Sequence, residues 1–97
     1  MVSEPKQYRI FLKPAAERVL SSLSKKNRKL VARRIDALSA NPRPKGVEKL
    51  AGQVDLYRVR AGDFRIIYQI QDAVLRVLVV MIGDRKDVYD RIKRLFE

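Results

Sequence analysis

The chain contains no cysteine, no histidine and no tryptophan, and its 11 acidic residues are outnumbered by 22 lysines and arginines. Without cysteine or histidine there is no disulfide framework, no thiolate or imidazole zinc site, and no catalytic triad with an imidazole base. A metal could be held only through carboxylates and carbonyls. Long hydrophobic runs are also missing. The longest, Val77 to Ile82, is far too short to cross a bilayer but suits a buried strand. The first dozen residues carry Glu4, Lys6 and Arg9, unlike the uncharged core of a signal peptide, so a cytoplasmic protein is expected.

What remains is 97 residues, 46% hydrophobic and 34% charged, a composition that supports one globular domain spanning residues 1–97. The formal charge of +11 points to a polyanionic partner, either nucleic acid or an acidic protein. No segment pairs a basic face with apolar anchors as membrane binding requires.

Periodicity divides the chain. Tyr8, Ile10 and Leu12 alternate with Arg9 and Phe11 as in a strand, and Pro14 can open a helix because its missing N–H needs no partner there. Ala16, Val19, Leu20 and Leu23 recur at helical spacing. Ser24 can cap a second helix with Leu30, Val31, Ile35 and Leu38 facing inward, ended by Asn41-Pro42. Pro42 to Gly52 reads as an irregular connection. Leu56 to Ala61 and Phe64 to Ile70 flank Gly62-Asp63, a pair that closes a tight hairpin. A turn at Gln71-Asp72-Ala73 leads to a central strand from Val74 to Ile82, broken by Gly83. A last helix begins at Asp87 with Val88, Ile92, Leu95 and Phe96 on one side. The expected class is α+β, in the order β-α-α-β-β-β-α, with helices packed on one face of a largely antiparallel sheet.

Counting outward from Gly62-Asp63 sets Ala61 against Phe64, Arg60 against Arg65, Val59 against Ile66, Arg58 against Ile67 and Tyr57 against Tyr68. One face then holds Tyr57, Val59, Phe64, Ile66 and Tyr68, and the other gathers Arg58, Arg60 and Arg65. Opposed like charges in a ladder cost roughly 0.2–1 kcal/mol per pair. Such a cluster is either a solvated face neutralised by Asp55, Asp63 or Asp72, or a site for an anion. Arg85 and Tyr89 follow the third meander strand closely enough to reach its edge. Guanidinium groups grip phosphate oxygens in bidentate fashion and stabilise a pentacoordinate phosphorane, and a tyrosine among cations has its phenolate favoured. The alternative for Tyr89 is packing on the sheet.

The runs Leu56-Tyr57-Arg58-Val59-Arg60, Gly62-Asp63-Phe64-Arg65-Ile66-Ile67-Tyr68 and Ile82-Gly83-Asp84-Arg85-Lys86-Asp87-Val88-Tyr89 resemble the signature of RelE toxins, in the RelE/ParE superfamily of toxin–antitoxin systems. The resemblance covers nearly the whole chain. The second run also fits the gyrase-directed ParE branch, whereas Arg85-Lys86-Asp87-Val88-Tyr89 favours RelE. The resemblance implies a ribosome-dependent mRNA endonuclease that needs no metal or cofactor and cuts A-site codons through attack of the ribose 2′-OH on the adjacent phosphate, halting translation. It assigns Arg58, Arg60, Arg65, Arg85 and Tyr89 to the reaction. Tyr89 would orient or deprotonate the 2′-OH, Arg65 and Arg85 would hold the scissile phosphate, and Arg58 and Arg60 would position the backbone. Some relatives carry lysines where Arg58 and Arg60 stand; arginine stays charged, which places more of the proton transfer on Tyr89. The resemblance further implies an acidic, RelB-like antitoxin that covers or displaces the C-terminal helix, and the net charge then suits ribosomal RNA, with Lys25, Arg28, Lys29, Arg33 and Lys49 as candidate contacts. For the cations of the second helix the alternative is an ordinary solvated face. The alternative is a ParE-like gyrase inhibitor without nuclease chemistry.

Overall fold

A computed structural model describes residues 7–50 and 55–84. Their elements run β1 (Arg9–Leu12), α1 (Pro14–Ser22), α2 (Lys25–Ala40), β2 (Glu48–Lys49), β3 (Leu56–Ala61), β4 (Phe64–Gln71), a 3-10 turn (Asp72–Val74) and β5 (Arg76–Asp84). The helix expected from Asp87 lies outside the described residues. The five strands form one sheet in the order β1-β5-β4-β3-β2. Every neighbouring pair is antiparallel except β1 and β5, which run parallel; the two helices carry the chain from β1 at one edge to β2 at the other.

Local chemistry accounts for the helix ends. Pro14 opens α1 after Lys13, where its lack of an N–H costs nothing. The Ser24 side chain accepts a hydrogen bond from the Asn27 amide at 3.3 Å, capping α2. Ala16 of α1 and Val31, Ile35 and Leu38 of α2 pack on Tyr57, Val59, Ala61, Ile66, Tyr68, Ile70, Val77, Val79 and Ile82, so both helices cover the same sheet face. Each fully enclosed aliphatic side chain there contributes about 1.5–3 kcal/mol of burial free energy.

Several expectations need correction. Leu30 is 44% exposed rather than inward, because the buried stripe of α2 runs one residue on, through Val31, Ile35 and Leu38. The stretch after Asn41 is not wholly irregular, since Glu48–Lys49 pairs with β3. The turn after β4 is longer than three residues: it includes Leu75 in the left-handed region (φ 52°), and β5 starts at Arg76. Gly83 does not end that strand, which pairs on to Asp84 opposite Phe64. Within β5 the ladder skips Val80, since Ile67 faces Met81 while Tyr68 faces Val79. This bulge turns Val80 and Met81 to the face opposite α1 and α2 and returns Ile82 to the core. An unbroken apolar run therefore serves both faces.

One end of the sheet is tied by polar contacts. Tyr68 is fully buried, stacks on Tyr57 with centroids 6.0 Å apart, and donates its hydroxyl to the Pro42 carbonyl at 2.7 Å. Arg43 grips Asp72 through two nitrogens at 3.1 and 2.8 Å and lies over the Tyr57 ring. Tyr8 donates to the same carboxylate at 2.6 Å. Ser39 and Tyr8 exchange two further bonds, joining α2 to β1.

Burial raises the Tyr68 phenol above its ordinary value of about 10. A raised acid is held neutral by the fold, so its contribution is complete below pH 10 and is lost as pH climbs past that value. Tyr68→Phe should therefore lower stability at pH 7 by about 1–3 kcal/mol, by leaving a buried carbonyl without its donor, while flattening the alkaline decline. Urea unfolding at pH 7 and pH 11 checks both effects; an unchanged pH 7 midpoint would contradict them.

Candidate nucleic-acid interface

The β3–β4 hairpin has the register obtained by counting from its turn: Ala61 faces Phe64, Arg60 faces Arg65, Val59 faces Ile66, Arg58 faces Ile67 and Tyr57 faces Tyr68. Gly62 has φ 60°, whereas Asp63 has no positive φ, the pattern of a type II′ turn with glycine first. With Tyr57, Val59, Ile66 and Tyr68 under α2, alternation sends Arg58, Arg60 and Arg65 to the opposite face.

The arginines differ in their surroundings. Arg60 is exposed. Arg65 is half-buried, with Arg60 opposite it on β3 and Gly83 opposite it on β5, and Gly83 adds no side chain beside it. Arg58 keeps only 16% side-chain exposure and forms an ion pair with Glu48 of β2. Of the carboxylates expected from sequence to neutralise this face, Asp72 holds Arg43 and Asp55 pairs with Lys49 at 3.2 Å. Glu48 was missed because a two-residue strand has no periodicity to read. Its only signal is the acidic residue two places before Leu50, whose amide bonds the Leu56 carbonyl at 2.8 Å.

The same face carries an apolar floor. Leu56, Ile67 and Val80 are buried there, with Leu50, Leu78 and Met81 packed against them. Guanidinium groups beside such a surface act through a lower effective dielectric than in open water, which strengthens their pull on an anion.

Lys25, Arg28, Lys29 and Arg33 are all exposed on α2. No acidic residue stands in the first turn of that helix, where cations oppose the dipole at a cost of about 0.3–1 kcal/mol each. Lys49 is exposed and paired with Asp55, a surface contact of little energetic weight. Arg85 and Tyr89 lie outside the described residues. Arg34 was not singled out from sequence, although it lines a groove with Arg33 and Arg60. Its position three residues before Ala37 and four after Leu30 was the available signal.

A family model described as the ParE toxin of type II toxin–antitoxin systems, parDE, matches residues 6–89. The chain belongs to the RelE/ParE superfamily of type II toxins. Its fold matches RelE in an archaeal RelE–RelB complex from Pyrococcus horikoshii at 29% identity and TM-score 0.74, covering 82% of this chain and 97% of that one. The toxin–antitoxin complex RelBE2 from Mycobacterium tuberculosis matches at 21% identity and TM-score 0.73, covering 87% and 98%. The isolated E. coli RelE toxin matches at 24% and 0.70, covering 92% and 99%. No curated protein matches by sequence.

An alanine Cβ at Gly62 would sit 2.7 Å from Leu30 Cδ2 on a backbone at positive φ. Gly62→Ala should cost roughly 1–2 kcal/mol, chiefly in backbone strain because Leu30 can swing aside. Denaturant titration reads this directly; an unchanged midpoint would show that the turn is not strained by a side chain.

Proposed function

We propose that this toxin is a ribosome-dependent mRNA endonuclease whose phosphate grip is the face of the β3–β4 hairpin opposite α1 and α2. The supporting observation is the pairing of Arg60 with Arg65 across the ladder, beside Arg58 on the same face. Placing two cations opposite one another opposes folding, and a phosphodiester between them relieves that repulsion.

In this reading the ribose 2′-OH gives up its proton and its oxygen attacks the adjacent phosphorus, the bond from phosphorus to the 5′ oxygen breaks and the departing oxygen takes a proton from water, leaving a 2′,3′-cyclic phosphate and a free 5′-OH. Arg65 and Arg85 hold the non-bridging oxygens as charge builds, Arg85 lying toward the departing oxygen. Arg60 positions the backbone, and Arg58 does so from a fixed place set by Glu48. Tyr89 orients the 2′-OH or takes its proton. Arginine does not give up its proton near neutral pH, so none of the three hairpin arginines serves as the base. Lys25, Arg28, Lys29 and Lys49 face ribosomal RNA, and an acidic RelB-like antitoxin neutralises the same surfaces by wrapping the toxin over its C-terminal segment. Such a protein acts in the cytoplasm, where its ribosomes are.

A second reading draws support from the family model itself, which carries the ParE name. A ParE-like toxin inhibits DNA gyrase and needs no phosphoryl-transfer site.

Adding purified protein to a translating extract and mapping mRNA 5′ ends by primer extension separates the two. Codon-spaced cuts that require ribosomes are expected, and Arg65→Ala, Arg85→Ala and Tyr89→Phe should each slow them by about 10²–10³-fold with the fold intact. Intact mRNA accompanied by gyrase-linked DNA breaks would support ParE; parental cutting by all three variants would overturn the site.

A further inference from the structure

α2 carries two adjacent stripes. Val31, Ile35 and Leu38 are buried on the sheet, and beside them Leu30, Arg33, Arg34 and Ala37 follow the i, i+3, i+4, i+7 spacing of a single helix face. This second stripe forms one wall of an open groove of about 390 Å3, whose other wall is Arg60, Ala61 and Gly62 at the tip of the hairpin. β2 reaches only as far as Glu48, opposite Arg58, so it does not run alongside Arg60.

Three arginines line this groove, and no carboxylate lines it among the described residues. The ion pairs of the described residues involve Arg43, Lys49 and Arg58, and none involves Arg33, Arg34 or Arg60. Arg34 also has its Nε buried with no hydrogen-bond acceptor. A guanidinium does not escape burial by losing its proton, so Arg34 keeps its charge at the groove. A groove lined by three arginines, none of them in an ion pair among the described residues, is complementary to an oxyanion.

The choice among oxyanions follows from Arg60. It lines this groove and also stands opposite Arg65 on the face proposed to hold the scissile phosphate. A ligand served by both surfaces has anionic groups repeating along a chain, as a sugar–phosphate backbone does. Between the cations the groove offers Leu30, 44% exposed, with Ala37 and the bare Gly62 backbone, an apolar surface on which a base can lie while an arginine plane stacks over it.

We infer that the α2–hairpin groove is a second phosphate-binding position, in which Arg33 and Arg34 hold the RNA strand next to the phosphodiester gripped by the hairpin arginines. The inference rests on the nuclease reading for its choice of RNA. It makes Arg33 and Arg34 positioning residues: they fix where the strand lies and touch no reacting atom.

The test uses a fluorescently labelled, 2′-O-methylated dodecaribonucleotide, which cannot be cut, with binding followed by anisotropy from 50 to 200 mM KCl. Arg33→Gln and Arg34→Gln should each weaken binding about tenfold and make the slope of log K against log salt shallower by about 0.7. Arg34→Lys should restore the salt slope. On programmed ribosomes both glutamine variants should raise the half-saturating concentration and keep the rate at saturation. Arg33 is exposed, so its variant remains informative if Arg34→Gln unfolds. Parental affinity and slope in folded variants would overturn the inference, as would a poly-glutamate peptide that displaces the RNA from the parent but loses affinity in the variants. Weakened RNA binding in a protein that cuts no mRNA would remove the nuclease reading and keep the groove. Normal cutting with unchanged RNA binding would do the reverse.

Discussion

The register of the β3–β4 hairpin is the constraint on which both the core and the site depend. Tyr57, Val59, Ile66 and Tyr68 must lie beneath α2, and the strand period of two then leaves Arg58, Arg60 and Arg65 no choice of side. A slip of one residue would drive three guanidinium groups into a core of valine, isoleucine and leucine, at a desolvation cost no compensating contact there could offset. The same free energy that holds the sheet against its helices therefore places the cations. On the outer face, Arg60 and Arg65 oppose each other across the ladder.

The two ends of the sheet are built differently. At the end near the 3-10 turn, Tyr8, Arg43 and Asp72 satisfy one another, Tyr68 bonds Pro42, and Ser39 joins helix to strand. At the hairpin end, Glu48 restrains Arg58, while Arg33, Arg34 and Arg60 line a groove without a carboxylate among the described residues. A small domain has few ways to hold mutually repelling charges in fixed positions. This one anchors their strands at the far end and under α2; in the proposed nuclease reading an incoming phosphate then meets cations already in place, with little ordering cost left for the binding step.

Much of this was legible in the sequence, for local reasons. Gly62-Asp63 between two alternating runs specifies the turn and so the register, and Pro14, Ser24 and Asn41-Pro42 punctuate the helices through backbone chemistry that acts within a few residues. What was not legible depends on distant partners. Glu48–Lys49 is a strand only because β3 offers an edge. The bulge at Val80 hides in a run where every residue is apolar, and the parallel pairing of β1 with β5 joins segments more than sixty positions apart. Leu30 was assigned to the core because two helical stripes lie side by side, and the same adjacency hid Arg34.

Membership of the RelE/ParE superfamily sets the frame, and the opposed arginines carry the proposed chemistry, in which Arg60 and Arg65 act together on one phosphodiester. A double-mutant cycle on single-turnover cleavage of A-site mRNA by programmed ribosomes measures that directly. The account predicts strong coupling, with Arg60→Ala/Arg65→Ala losing far less rate than the product of the two single losses. Independent effects that multiply, or parental cleavage by the double variant, would contradict it.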